Sequence, residues 1–219
     1  DLPAPGTGAS VPVEDWLTHK TLCDWTDSKT LFNCNTEGEP PEPAFMATDK
    51  EWAKAIARMR SSAMMGVLPL DEVARYPDGR VLRSGLFCII KKEEGNHVAC
   101  RLIIDRRPQN FFERLLGGLR QPHGVCFTKL LLRPGEVLRL SLRDASNYYH
   151  LLRVPKERLP YQAVGPAVSR EWWEQGCPLW ATEKVFPKEN SGVPLYQPTI
   201  LTVCMGDING VVVGQEVHR

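Results

Sequence analysis

The sequence predicts an α+β fold in which a β-hairpin and a small antiparallel sheet are flanked by short helices. Three observations carry that expectation. Residues 48–60 place apolar side chains at helical spacing behind a capping box, residues 85–105 read strand, turn, strand, and residues 138–144 alternate apolar and polar before a second helical stretch. With 219 residues, 42% of them hydrophobic, the chain is long enough to bury a core and is too apolar to be disordered.

Taken in order, residues 1–47 read as a Pro-rich irregular arm, with Trp16, Trp25 and Phe32 available to dock on the body. Thr48 and Glu51 form the capping box of a helix running to about Arg60, which would bury Trp52, Ala55, Ile56 and Met59. Residues 85–92 and 98–105 are two strands joined by Glu93-Glu94-Gly95-Asn96, a hairpin with basic side chains near its tip. Residues 138–144 would be a half-buried strand ending on a carboxylate, and 146–152 a short helix. The Pro-rich stretch 155–200 reads as loops with short strands, and a last helix is expected from Met205 onward.

The near-zero net charge of +1 conceals an uneven distribution. Residues 1–57 are acidic, with 4 basic and 10 acidic side chains, whereas residues 58–143 carry 16 basic and 8 acidic. A basic middle third is the expected footprint of a phosphate-bearing partner, although a solvated arginine-rich surface has the same composition. The seven cysteines are odd in number and include no C-x-x-C pair, which suggests reduced thiols in an intracellular protein, cytoplasmic or nuclear. Zinc held by His19, Cys23 and Cys34 would need a spacing that matches no usual ligand set. No run approaches the ~20 apolar residues of a membrane span, no signal peptide opens the chain, and the start at Asp1 suggests a processed product or a fragment. Walker loop, dinucleotide fingerprint, nucleophile elbow and zincin helix are all missing from the sequence.

Three stretches carry candidate chemistry. The first is Arg101-Leu-Ile-Ile-Asp105-Arg-Arg107-Pro-Gln-Asn110, preceded on the other hairpin strand by Lys91 and Lys92. Cations on a two-stranded ribbon suit a triphosphate: Arg101 through its planar fork, a lysine as a point charge. Asp105, Arg107 and Asn110 are better placed to brace the hairpin by internal pairing. The second is Arg143-Asp144-Ala-Ser-Asn-Tyr148-Tyr149-His150, where a carboxylate at a strand end precedes a helix bearing an aromatic five residues on. By itself such an Asp is more often a helix cap, and such a Tyr a core residue. The third is Met205-Gly206-Asp207-Ile-Asn209-Gly210-Val211-Val-Val-Gly214-Gln215.

In this order the three stretches resemble the reverse transcriptases of retroelements, the retrotransposon type in particular, over roughly residues 58–219. The resemblance implies a right-hand polymerase fragment: a fingers-like region over 48–137 and a partial palm over 138–219, with an incomplete antiparallel palm sheet. It implies nucleotidyl transfer that needs two Mg²⁺ ions about 3.5–4 Å apart. Asp144 would be the catalytic metal carboxylate, and Lys91, Lys92, Arg101, Tyr149, Met205 and Gly206 would bind the nucleotide. Tyr149 would lie under the sugar and exclude a 2′-hydroxyl. Asp105, Arg107, Asn110, Asn209 and Gln215 would be supports. The implied partners are an RNA or DNA template-primer and deoxynucleoside triphosphates, with no membrane. Several positions depart from the family pattern: Arg106 replaces an aromatic, Gln109 an apolar residue, Val211 a common Pro, and Gly214 an aromatic. No Asp-Asp pair occurs, so the remaining metal carboxylates are missing and the chain is expected to be inactive alone. The alternative is a non-catalytic nucleic-acid-binding or interaction remnant of such an element.

Overall fold

The computed structural model describes residues 2–32, 37–94, 97–117, 128–141, 144–179, 185–189 and 191–218. Helix α3 (Asp49–Ser61) forms where the capping box predicts it. Thr48 Oγ1 accepts from the Glu51 amide, and the Glu51 side chain accepts from the Thr48 amide, an arrangement worth about 1 kcal/mol. One face of α3 buries Trp52, Ala53, Ile56 and Met59; Ala55, expected in that set, is only partly covered. Trp52 anchors the first core cluster, where it meets Phe45 edge-on and packs against Leu86, Val164 and Val168.

The expected hairpin is present as β3 (Gly85–Glu94) and β4 (His97–Asp105), paired antiparallel from Gly85–Asp105 outward. Gly85 is required at its base, because a Cβ there would lie 2.0 Å from the Ala44 carbonyl oxygen. The turn residues Gly95 and Asn96 lie outside the described residues.

A three-stranded antiparallel sheet orders β2 (Met65–Pro69), β7 (Leu195–Ile200) and β6 (Val168–Ser169) as β2-β7-β6. This is not the sheet expected around residues 138–144. The described part of that stretch, 138–141 and 144, forms no strand, and Leu138 and Leu140 are 46% and 74% exposed. Alternating side chains favour a strand only when a neighbour takes the backbone hydrogen bonds, and no described strand lies alongside. The chain instead turns at 133–136, with Gly135 at φ +89°.

The segment expected to be an irregular arm also differs. It contains α1 (His19–Thr26), capped by Thr18, and α2 (Ser28–Leu31), capped by Asp27. Strand β1 (Val11–Pro12) pairs in parallel with β5 (Leu152–Arg153). Trp25 and Leu31 are fully buried in a second core cluster with Leu152, Val203 and Val213, so the N-terminal segment is part of the body, although Trp16 stays exposed. Short caps and one buried tryptophan outweigh the surrounding prolines.

The remaining helices are α4 (Arg107–Phe112), α5 (Tyr148–Leu151), α6 (Arg170–Glu174) and α7 (Gly210–Val217). Helix α5 is shorter than expected. The last helix begins at Gly210 rather than Met205, because residues 205–209 form turns in which the Asp207 side chain accepts from the Asn209 amide. In α6 Trp172 joins the first core cluster, and Trp173 lies under the Arg60 guanidinium at 4.3 Å; Trp180 lies outside the described residues. Among the described residues no helix is long and apolar enough to cross a membrane.

Candidate nucleotide-binding crevice

The hairpin leaves β4 through a charged knot that fixes its direction. Asp105 accepts from Arg107 Nε at 2.8 Å, from Arg107 Nη2 at 2.7 Å and from the Ala44 amide at 2.7 Å. The Arg107 guanidinium holds the Asp105 carboxyl down at about 2, against the opposing effect of burial. The sign follows from linkage: a carboxylate depressed in the folded state stabilises it above the unfolded value near 4, and that contribution is lost as pH falls towards 2. Acid titration of Asp105→Asn should therefore give a stability deficit at neutral pH that shrinks between about pH 4 and pH 2. A deficit unchanged by pH would contradict this pairing.

Asn110, on α4, reaches across to the 205–209 turn: its Nδ2 donates to the Gly206 carbonyl at 2.7 Å, and its Oδ1 accepts from the Ile208 amide at 3.1 Å. Asn209, fully buried, accepts from the Leu116 amide at 2.7 Å and donates to the Arg114 carbonyl at 3.1 Å. Asp105, Arg107, Asn110 and Asn209 thus tie β4, α4 and the start of α7 together. Gly206 belongs to the same joint, where a Cβ would lie 3.0 Å from the Ile104 carbonyl oxygen. The close approach it permits is to β4, and Gly206 itself does not line the crevice described next.

Between the hairpin, the 144–150 stretch and α7 lies an open crevice of about 760 Å³. Its walls bring together Lys91, Arg101, Asp144, Tyr149, Met205 and Gln215, drawn from all three sequence stretches. A β-bulge explains how Lys91 comes to share a wall with Arg101. Register passes from Ile90–Cys100 to Lys92–Ala99, so Lys91 is the extra residue, and a bulge re-aims the side chain it carries. Neither Lys91 nor Arg101 is ion-paired to a described residue, and both are exposed. The side chain of Lys92 lies outside what is described, as do Leu142 and Arg143.

Asp144 is exposed at the crevice edge. Among the described residues no three His, Cys, Asp or Glu side chains gather at metal-binding distance, so Asp144 supplies one carboxylate and does not by itself fit a two-metal site. Asn147 precedes α5 in the left-handed region at φ +55°, a conformation Asn tolerates better than most residues. Behind it the Tyr148 and Tyr149 rings meet edge-on at 5.6 Å, and Tyr149 both lines the crevice and packs on the second core cluster. Burial lowers the His150 imidazole below its usual value, so the crevice floor is neutral there near pH 7.

Sequence reasoning missed a buried ion cluster. Arg106 and Arg158 are buried against Glu113 and Asp207, all four side chains at most 1% exposed. Arg106 Nη2 lies 3.1 Å from Glu113 and 3.2 Å from Asp207, and Arg158 Nη2 lies 2.6 Å from Glu113. Burial, with the neighbouring Asp207, pushes the Glu113 carboxyl up, and the two arginines oppose it. The one signal in the sequence was Arg106 itself, a charge where the resemblance led to an aromatic. The five described cysteines are free thiols, and burial pushes Cys204 up to about 11. Cys34 lies outside the described residues; His19 and Cys23 sit one helical turn apart on α1, away from the crevice.

No protein-family model matches the chain, and the search of curated proteins found no match.

Proposed function

We propose that the chain is the fingers and first half of the palm of a retroelement RNA-directed DNA polymerase, and that the crevice receives a deoxynucleoside triphosphate beside a template-primer. The observation that carries this reading is the meeting of Lys91, Arg101, Asp144, Tyr149 and Met205 on one opening, from stretches up to 114 residues apart in sequence. Arg101 would grip phosphate oxygens through two parallel N–H donors, and Lys91 would add a point charge. The Tyr149 ring would lie against the sugar, leaving no room for a 2′-hydroxyl. Magnesium would supply charge neutralisation for the triphosphate, held by Asp144 with further carboxylates of the complete polymerase. Asp144 alone among the site's residues is of that kind, so the chain by itself is a binding unit, intracellular like the element it would serve.

Triphosphate binding by the full chain tests this. Arg101→Ala should weaken it about tenfold, the worth of one charge-assisted bidentate contact. Unchanged affinity would remove Arg101 from the site. The alternative, a remnant that binds nucleic acid without chemistry, predicts template-primer binding with no preference for a triphosphate.

A further inference from the structure

The departure at Gly214 has a structural counterpart in the crevice wall. A Cβ on Gly214 would lie 3.2 Å from Tyr149 Cε1 and 3.3 Å from Tyr148 Cε1, tighter than ordinary carbon contact on both rings at once. The Gly214 carbonyl accepts from the Tyr148 hydroxyl at 2.6 Å and from the His218 amide at 3.1 Å. The Tyr148 ring is held edge-on between Tyr149 at 5.6 Å and His218 at 6.2 Å. From these contacts we infer that Gly214 and Tyr148 form a socket that sets how far the Tyr149 ring stands into the crevice. They are therefore positioning residues for sugar discrimination, acting through Tyr149. The inference rests on the crevice being a nucleotide site.

The physical logic is steric. Tyr149 is bounded on one side by α7 and on the other by open crevice, so an added methyl on α7 displaces the ring towards the crevice. A shift of a few tenths of an ångström matters little to a deoxyribose and more to a ribose, whose extra oxygen must fit beside the ring. Loss of the Tyr148 hydroxyl does the opposite, since the ring pair is no longer tied to the α7 backbone and Tyr149 can yield.

The test is the affinity ratio of a deoxynucleoside triphosphate to its ribonucleoside counterpart, measured on the full chain and three variants. Gly214→Ala should raise the preference for the deoxy form about threefold, Tyr148→Phe should lower it by a similar factor, and Tyr149→Ala should abolish it. A purely structural role would shift thermal stability without moving the ratio. Should Tyr149→Ala remove the preference while Gly214→Ala and Tyr148→Phe leave it unchanged, the socket is wrong and the nucleotide site stands. A ratio unmoved in all three variants would overturn the role of Tyr149 and the socket with it. Tyr148→Phe, which removes only one oxygen, keeps the test open if Gly214→Ala fails to fold.

Discussion

Glu113→Ala should destabilise the protein by about 3–5 kcal/mol, the usual cost of leaving a buried guanidinium without its partner. Glu113 Oε1 is shared by Arg106 at 3.1 Å and Arg158 at 2.6 Å. Its removal leaves Asp207, 3.2 Å from Arg106 and 3.7 Å from Arg158, as the anionic partner of both buried cations among the described residues. Total stabilities of domains are about 5–15 kcal/mol, so much of the fold's margin rests on this one side chain. Urea denaturation should show a large drop in midpoint at unchanged slope. A loss below about 1 kcal/mol would mean that water reaches the guanidinium groups. The cluster joins the exit of β4, the loop before α7 and the 3₁₀ turn Lys156–Tyr161.

Template-primer binding should fall about 10²-fold between 50 and 200 mM salt if the basic segment 58–143 engages about four phosphates, because each neutralised phosphate releases condensed counterions. Residues 58–143 carry 16 basic against 8 acidic side chains, although Arg106 and Arg107 are spent on internal pairing. Among the described residues Lys91 and Arg101 are the exposed lysine and arginine of the crevice, so removing either should weaken binding uniformly across sequences and flatten the salt slope by about one unit. A slope near zero would assign the basic segment to solvation alone.

Local signals account for what the sequence reveals of this fold. The α3 capping box and the hairpin are written within a few residues of where they act; the box forms as read, and the hairpin strands run further than read, taking in Glu93, Glu94 and His97. The helices of residues 19–31 were hidden by prolines on either side, and their stability comes from Trp25 and Leu31 meeting residues more than a hundred positions away. The described part of 138–144 departs in the opposite sense: its alternation is a local preference, and a strand also needs a partner. At the site, the pairing of Asp105 with Arg107 at the base of the hairpin follows from their spacing, whereas Asn110 braces the 205–209 turn rather than the hairpin. By contrast, nothing local couples Arg106 to Glu113, Arg158 and Asp207, because a buried ion cluster is a property of the assembled core. The bulge at Lys91 and the socket at Gly214 are likewise matters of register and contact.

Whether the crevice is the nucleotide site is tested most directly by photo-crosslinking an azido-substituted deoxynucleoside triphosphate to the full chain and mapping the modified peptides. Adducts should fall within residues 144–150 and 205–218 and should disappear under excess unmodified triphosphate. Adducts confined to the groove beside α1, where Glu14, His19, Cys23 and Lys156 lie, or insensitive to competition, would contradict the assignment.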